Sequence, residues 1–388
     1  MKRAFALTLL AGISFCFVVG IGAGQDDKKE EKKEPKAKEV DIFGKTISEW
    51  IKILRTHENP KFRHAALIAL ESSNTARSSG LPAILDCIEK DKDVLVRVRA
   101  VNMLGRIGHE VKPGLKSLVG AMQADKSEQV REAAAAAIAA NPALCKQATD
   151  YVDALVGALK DPHPGTRIAV ASALRNMGEE AKPGIPALLE AAANPKEHQQ
   201  VRTAAVHVVS RYGKANAKTI SLLVDLAMSA DNAAALREAA VDGLGRSGSD
   251  AAEVSAGLSK TLVDKSLELR KASATALGTL GVKAKAAWPA IKPRLSEDVE
   301  ADSSVRNHLV RLTGIIAKTN DEAVPVLTNV AVKDTSTENR IAAIQELAEL
   351  GARAKSAVEA LTRIASADAR FAIREAAEKA VTQIKTSQ

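Results

Sequence analysis

The sequence predicts an all-α solenoid built from about nine to ten two-helix repeats. Two observations indicate this fold: one short motif recurs along the chain, and its copies are evenly spaced. Three copies have the same layout and read VRVRAVNMLGRIG at 96–108, LREAAVDGLGRSG at 236–248 and LRKASATALGTLG at 269–281. A third observation is composition, because 3% aromatic residues and abundant alanine favour closely packed helices over sheets.

One arginine marks each copy of the motif and serves as the anchor of its repeat. Successive anchors lie 33 to 36 residues apart. So narrow a spread indicates one repeat array rather than two or three globular domains. The anchors are Arg63, Arg97, Arg131, Arg167, Arg202, Arg237, Arg270, Arg306, Arg340 and Arg374.

Apolar residues around each anchor follow helical spacing and predict the first helix of a repeat. They lie one residue before the anchor and three, four, seven and ten after it, on one helix face. Glycine eleven residues after the anchor is expected to end this helix in the left-handed conformation, and Asn74 holds that position in the first repeat. These glycines are Gly108, Gly178, Gly213, Gly248, Gly281 and Gly351.

A second helix and a loop complete each predicted repeat. Proline nineteen residues after the anchor suits the start of a helix, where its missing N–H costs nothing. The prolines are Pro82, Pro186, Pro289 and Pro325. An acid six residues before the anchor closes the loop and can accept backbone N–H bonds. The acids are Asp91, Asp125, Asp161, Asp231, Asp264, Glu300, Asp334 and Asp368.

Small residues three positions after the anchor are expected to let neighbouring helices approach closely. Ala100, Ala134, Ala205, Ala240 and Ser273 hold this position. At the array's start, Thr46 and Glu49 form a capping-box pattern ahead of a helix that carries Trp50 and Leu54. At its other end, Arg374 to Lys385 predict a last helix that caps the stack.

The order Asp, Leu-Arg, Ala and Leu-Gly in D264-KSLE-LR-KASATALG resembles HEAT repeats, specifically the short, phycobilisome-lyase-like type. The resemblance covers residues 41–388 and implies a right-handed α–α superhelix with a concave surface of second helices. The tetratricopeptide repeat also has a period of 34 residues, but its Trp, Tyr and Phe marks are missing here.

The N-terminal sequence predicts export. Residues 1–24 combine Lys2 and Arg3 with an apolar run that ends in small residues, which is typical of a cleaved signal peptide. The run could instead be retained as a membrane anchor, since it is long enough to span a bilayer. Residues 25–40 hold equal numbers of lysines and acids and are expected to form a disordered linker before the solenoid at 41–388. We therefore expect a periplasmic or cell-surface protein that does not insert into the membrane after cleavage.

The three cysteines suggest no cross-link. Phe15 ahead of Cys16 is too bulky for lipoprotein processing. Cys87 and Cys145 belong to non-adjacent repeats, and Cα atoms more than about 7 Å apart cannot be bridged. We expect both to be buried, free and structural.

Charge argues against nucleic-acid binding. The whole chain carries a net charge of +8 at pH 7, and the excess is spread along the array. Nucleic-acid binders concentrate such charge into a stripe. The column of anchor arginines is expected to bond the acidic loops or carbonyls of adjacent repeats, since a guanidinium makes several fixed hydrogen bonds.

Candidate chemistry is sparse. Deoxyhypusine hydroxylase is built from similar repeats and binds iron through His-Glu pairs on helices. Here the pairs His57-Glu58 and His109-Glu110 fall in predicted loops and out of phase with each other, and His64 is followed by Ala65. Trp288 is a rare aromatic residue, and packing at the start of a second helix is the favoured interpretation for it.

These observations predict a non-catalytic, monomeric protein-binding scaffold of the cell envelope. No catalytic, cofactor-binding or metal-binding residue is assigned, and no cofactor is expected. A metal-dependent oxygenase of HEAT-like fold, or an accessory protein of an oxidoreductase or lyase, is the alternative. Side chains that the repeats do not share, such as Asp242 against Asn102 and Thr275, are where specificity would lie.

Overall fold

The computed structural model describes residues 41–107, 112–213, 216–249 and 252–387. The proposed signal peptide and linker, Gly108 and the pair His109-Glu110 lie outside these ranges. A short antiparallel hairpin, β1 (Asp41–Ile42) and β2 (Lys45–Thr46), opens the described part, and helices follow it to the C-terminus. None of the described helices is both long and apolar enough to cross a bilayer.

Each anchor arginine lies in a helix that we call an A helix. Consecutive A helices pack against one another and form one layer of the structure. They are α2 (Pro60–Glu71), α4 (Val94–Ile107), α6 (Glu128–Ala140), α9 (Pro164–Met177), α11 (Gln199–Tyr212), α13 (Ala234–Arg246), α15 (Leu267–Leu280), α17 (Ser303–Ala317), α19 (Thr337–Glu349) and α21 (Phe371–Thr386).

The helices between them, called B helices, form the second layer and pack on the A helices. Several are short and continue from 3₁₀ turns, such as Gly178–Gly184 and Gly281–Ala287. They are α1 (Ile47–Thr56), α3 (Asn74–Lys90), α5 (Lys112–Ala124), α7 (Pro142–Gln147) with α8 (Val152–Ala158), α10 (Ile185–Ala193), α12 (Ala217–Met228), α14 (Ala252–Thr261), α16 (Trp288–Ile291), α18 (Ala323–Lys333) and α20 (Val358–Ala367).

The chain is therefore an all-α solenoid, as the repeat spacing predicts. Helix α1 covers the first pair, and α21 packs on α19 and α20 at the other end. The predicted capping box is present: Thr46 Oγ1 accepts from the Glu49 N–H, and Glu49 accepts from the Thr46 N–H at 2.7 Å. Trp50 fixes the hairpin to α1, because its indole N–H donates to the Ile42 carbonyl at 2.7 Å.

The glycine prediction holds at some helix ends and fails at others. Gly178 and Gly281 follow α9 and α15 with φ of 74° and 58°, a region that favours glycine. Asn74 was expected to end the first A helix, but α2 stops at Glu71 and Asn74 is instead the first residue of α3, capped by Ser73. Gly213 ends α11 in an extended conformation, with φ of −76°.

The proline prediction also holds in some repeats and fails in another. Pro186 and Pro289 lie in the first turn of α10 and α16, as predicted. Pro82 lies inside α3, because that helix begins early, at Asn74, without the glycine turn found in other repeats. The early start makes α3 the longest described helix of the B layer, at 17 residues.

Small side chains line the seam between A helices. Ala100, Ala134 and Ala240 have no solvent exposure. A Cβ placed at Gly105 would lie 2.7 Å from the Ala137 Cβ, and one at Gly245 would lie 2.8 Å from the Ala276 Cα. Real Cβ atoms essentially never come this close, so the glycines let the backbones of neighbouring A helices approach. One continuous apolar core runs through the array.

Candidate functional site

The anchor arginines form a ladder of ion pairs between repeats. Eight of the ten donate to the acid in the loop that follows their own repeat, so each of the eight clamps one A helix to the start of the next. Arg63 reaches Asp91 at 2.7 Å, and Arg97 reaches Asp125 at 2.8 Å. The further pairs are Arg131–Asp161, Arg167–Glu197, Arg237–Asp264, Arg270–Glu300, Arg306–Asp334 and Arg340–Asp368.

Most of the same guanidiniums also bond the loop that precedes them. Arg97 Nη1 donates to the Asp91 carbonyl at 2.8 Å, and Arg306 Nη1 donates to the carbonyls of Glu300 and Ala301. The loop acid is held in turn, since Asp125 accepts the Ser127 N–H at 2.8 Å. Six of the eight thus close their own loop and join the next one, as the shared phase of Arg and Asp predicts. Arg237 and Arg340 instead donate to the carbonyls of Ala227 and Ala331 in the preceding B helix.

The fifth repeat departs from this arrangement. Asp231, the acid expected from spacing, is not the partner; Arg202 donates to Asn232 Oδ1 at 2.8 Å and to the Ala192 carbonyl at 3.0 Å. Without a carboxylate beside it, burial lowers the pKa of Arg202 below its ordinary value. The clamp is therefore kept by hydrogen bonds alone at this step.

Hydrogen bonds from arginines and backbone N–H groups lower the pKa of several ladder acids. Burial raises the pKa of Asp334, but hydrogen bonds from Arg306 and from the Ser336 N–H outweigh it, so the pKa lies below its ordinary 3.8. Asp125 and Asp161 have lowered pKa values for the same reasons. These three carboxylates are consequently ionised at neutral pH and are engaged in holding repeats together.

The described residues hold no cluster of three or more His, Cys, Asp or Glu side chains that could bind a metal. His57 ends α1 as predicted, in a loop, where its ring stacks on Phe62 and its Nδ1 accepts the Asn59 N–H at 3.1 Å. His163 lies 3.6 Å from Glu132, in the loop before α9.

The rare side chains are also packed into the fold. Trp288 opens α16 with 7% exposure, which fits the packing role expected for it. Cys87 and Cys145 are free and buried. Burial raises the pKa of their thiols to about 12 and about 11, so neither is a nucleophile at neutral pH.

A basic groove crosses the solvent-exposed side of α9, α11 and α13. A cavity of about 330 Å³ is lined by Arg175, His207, Arg211, Tyr212, Asp242 and Arg246. Arg246 donates to Asp242 at 2.7 Å, and the Arg211 guanidinium lies 5.8 Å from the Tyr212 ring centre. Burial, followed by the charge of Arg175, lowers the pKa of His207 below 6.5, against the opposing effect of Asp242.

A second groove, of about 570 Å³, lies on the same side of α17, α19 and α21. Its lining includes Arg311, Glu346, Glu349 and a salt bridge between Lys379 and Glu375 at 2.6 Å. The Glu346 carboxylate packs over Gly314, where a Cβ would collide with it. Sequence reasoning singled out Asp242, which lines the first groove, but it predicted neither groove, because their residues occupy positions that differ between repeats.

Comparison with known proteins agrees with this geometry. The family of HEAT repeats matches residues 47–139 and 115–210. No curated protein matches the sequence. The match is to HEAT repeats in general and does not distinguish the short, phycobilisome-lyase-like type.

Two solved structures share the fold. Importin beta in an ammonium sulfate condition is 14% identical, with a TM-score of 0.50, over 88% of this chain and 52% of its own. The karyopherin Kap121p bound to the SUMO protease Ulp1p is 13% identical, with a TM-score of 0.51, over 88% of this chain and 41% of its own. The chain thus spans about half the length of these structures. The chain therefore contains HEAT repeats over residues 47–210, and stacked helix pairs of the same kind continue through the rest of the described array.

Proposed function

We propose that this protein is a non-catalytic protein-binding scaffold of the cell envelope. One observation carries the proposal: the residues shared between repeats are used up in internal packing and in the Arg–acid ladder. What the solenoid offers to other molecules is a long surface whose side chains change from repeat to repeat. Such extended surfaces are what solenoid proteins use for binding.

The fold likeness supports a protein partner. That Kap121p structure is bound to a SUMO protease, so a solenoid of this fold can bind another protein. The likeness extends to the fold alone, and the partner of this chain has to be found by experiment. Placement in the envelope rests on the N-terminal sequence, in which Lys2 and Arg3 precede an apolar run.

Crosslinking in intact cells tests the scaffold. We expect the full chain to give one or a few reproducible crosslinked proteins in the envelope fraction, identified by mass spectrometry. A cytoplasmic protein of similar abundance serves as the background control. Crosslinks spread over many abundant proteins, with none enriched, would argue against a defined partner.

Export is tested by the N-terminus of the purified protein. Cleavage predicts a chain that begins at Gln25, whereas a retained anchor predicts the N-terminal residues intact and the protein in the membrane fraction. Recovery of the intact chain in the cytoplasmic fraction would contradict the envelope assignment.

A further inference from the structure

The groove over α9, α11 and α13 holds guanidiniums that the fold does not use. Among the described residues, Arg175 has no hydrogen-bond or ion-pair partner, and Arg211 contacts only the Tyr212 ring. Both side chains belong to exposed residues. By contrast, Arg106, nine residues after its anchor like Arg211, is neutralised by Glu71 at 2.6 Å.

The clustering is local to three consecutive repeats. Arg175 lies eight residues after its anchor, and Arg211 and Arg246 lie nine after theirs. In the neighbouring α6 and α15 the corresponding positions hold alanine, glycine or threonine. An arginine in the last turn of a helix also interacts favourably with the helix dipole, which explains one such residue but not the convergence of three on a single cavity.

The cavity is shaped by side chains that the repeats do not share. Tyr212 reaches across to the turn after α9, where its hydroxyl would lie 3.2 Å from a Cβ at Gly178. A smaller cavity of about 140 Å³ adjoins the groove through Arg211 and Arg246. It is lined by Ser210, whose buried hydroxyl has no hydrogen-bond partner among the described residues. The unpartnered Ser210 hydroxyl and the unpaired Arg211 guanidinium therefore belong to residues that line the same cavity.

We propose that this groove binds an acidic segment of the partner protein, with Arg175 and Arg211 receiving its carboxylates. The proposal rests on the scaffold function above. Planar guanidiniums suit carboxylates because they form paired hydrogen bonds. Asp242, which already holds Arg246, limits the free positive charge to that of two arginines, and this matches a few carboxylates better than a dense polyphosphate.

The test uses a fluorescently labelled peptide with six glutamates separated by glycine and serine, and the matching peptide with six glutamines. Anisotropy with the full chain at low salt should show binding of the glutamate peptide that weakens as salt screens the charges. The double variant R175Q/R211Q should bind it roughly tenfold more weakly, because two exposed charge contacts are lost. R106Q is the matched control: it removes the same charge at an equivalent position and should change the affinity less than twofold.

A second readout reports on the site itself. His207 lies beside the guanidiniums of Arg175 and Arg246, and Asp242 is the acid that faces it. A bound carboxylate offsets the cations, so the pKa of His207 should rise when the glutamate peptide binds. The histidine signal is followed by NMR and assigned with His207→Gln.

Several outcomes would overturn the proposal: no binding of the glutamate peptide, equal binding of the glutamine peptide, or equal losses in R175Q/R211Q and R106Q. Displacement of the peptide by micromolar inorganic pyrophosphate would likewise assign the groove to phosphate groups. The scaffold function is judged separately, by crosslinking the double variant. If the double variant still crosslinks to the wild-type partner, the groove assignment fails and the scaffold function stands. If wild type yields no crosslinked partner while the glutamate peptide binds, the groove assignment stands and the scaffold function fails.

Discussion

Arg306 and Asp334 form an ion pair that is almost sealed from solvent, with both side chains 1% exposed. Arg306 Nε donates to Asp334 Oδ2 at 2.8 Å, and Nη2 donates to Oδ1 at 3.0 Å. Asn339 donates to both oxygens of the same carboxylate. This is the most enclosed step of the ladder.

Arg306→Gln should therefore destabilise the array strongly. The substitution leaves a buried carboxylate without its counter-charge, which costs about 3–5 kcal/mol. Urea unfolding followed by circular dichroism measures the loss. The control is Arg353→Gln, which breaks a pair with Asp321 whose side chains are 48% and 87% exposed, and should cost less than about 1 kcal/mol. Equal losses in the two variants would mean that the ladder contributes no more than a surface ion pair.

Ala240→Leu tests the close approach of A helices. Ala240 is fully buried in α13, so three added carbon atoms must push α13 away from its neighbours. We expect a loss of roughly 1–3 kcal/mol from overpacking, seen as a lower melting temperature. Ala235→Leu adds the same atoms at an exposed position of the same helix and should be close to neutral. An unchanged melting curve for Ala240→Leu would remove the reason given for small residues at this position.

The sequence predicts the repeated parts of this fold well, because each repeated residue has one local task. Arg97 and Asp125 recur in phase, and they bond as that phase suggests. The predictions fail where a neighbouring residue offers a competing local interaction. Ser73 caps α3, so Asn74 begins this helix instead of forming the turn expected there. The early start also places Pro82 inside α3.

The repeat motif does not predict the basic groove, because the groove depends on residues that the repeats do not share. Arg175, Arg211 and Arg246 come from three helices, and only stacking brings them to one cavity. A usable signal was nevertheless present: all three lie eight or nine residues after their anchors. In a solenoid, residues at one phase of successive repeats lie side by side, so unshared residues of like charge at one phase predict a surface site.

Removal of residues 1–40 should leave the fold intact. The hairpin and α1 hold each other without help from residues 1–40, because the Trp50 indole N–H donates to the Ile42 carbonyl within the hairpin. We expect the same helical signal per remaining residue of the array and the same melting temperature, measured by circular dichroism. Removal of residues 1–46 is the sharper comparison, because it also deletes the hairpin and the Thr46 cap, and loss of the cap alone costs about 0.5–2 kcal/mol. If the two truncations behave alike, the fold does not begin at the hairpin.

Glu346 should make the stability of the array depend on pH near neutrality. Burial, and then the charge of Glu349, raise the pKa of its carboxyl from 4.5 to about 7, although Arg311 and Lys318 oppose this. An acid whose pKa is raised in the folded chain favours folding while it is protonated. Its contribution is thus complete below pH 4.5 and is lost as the pH rises through about 7.

Glu346→Gln replaces this carboxyl with a neutral group of nearly the same shape, so the variant should melt above the wild type at pH 8. The difference should shrink as the pH falls towards 5, because the wild-type carboxyl is then protonated as well. Glu359→Gln removes a carboxylate that is 85% exposed and should show no such trend. Melting curves at half-unit steps from pH 5 to pH 8 measure both variants against wild type. A constant offset across this range would show that Glu346 stays ionised in the folded protein, and that its packing over Gly314 carries no linkage to protons.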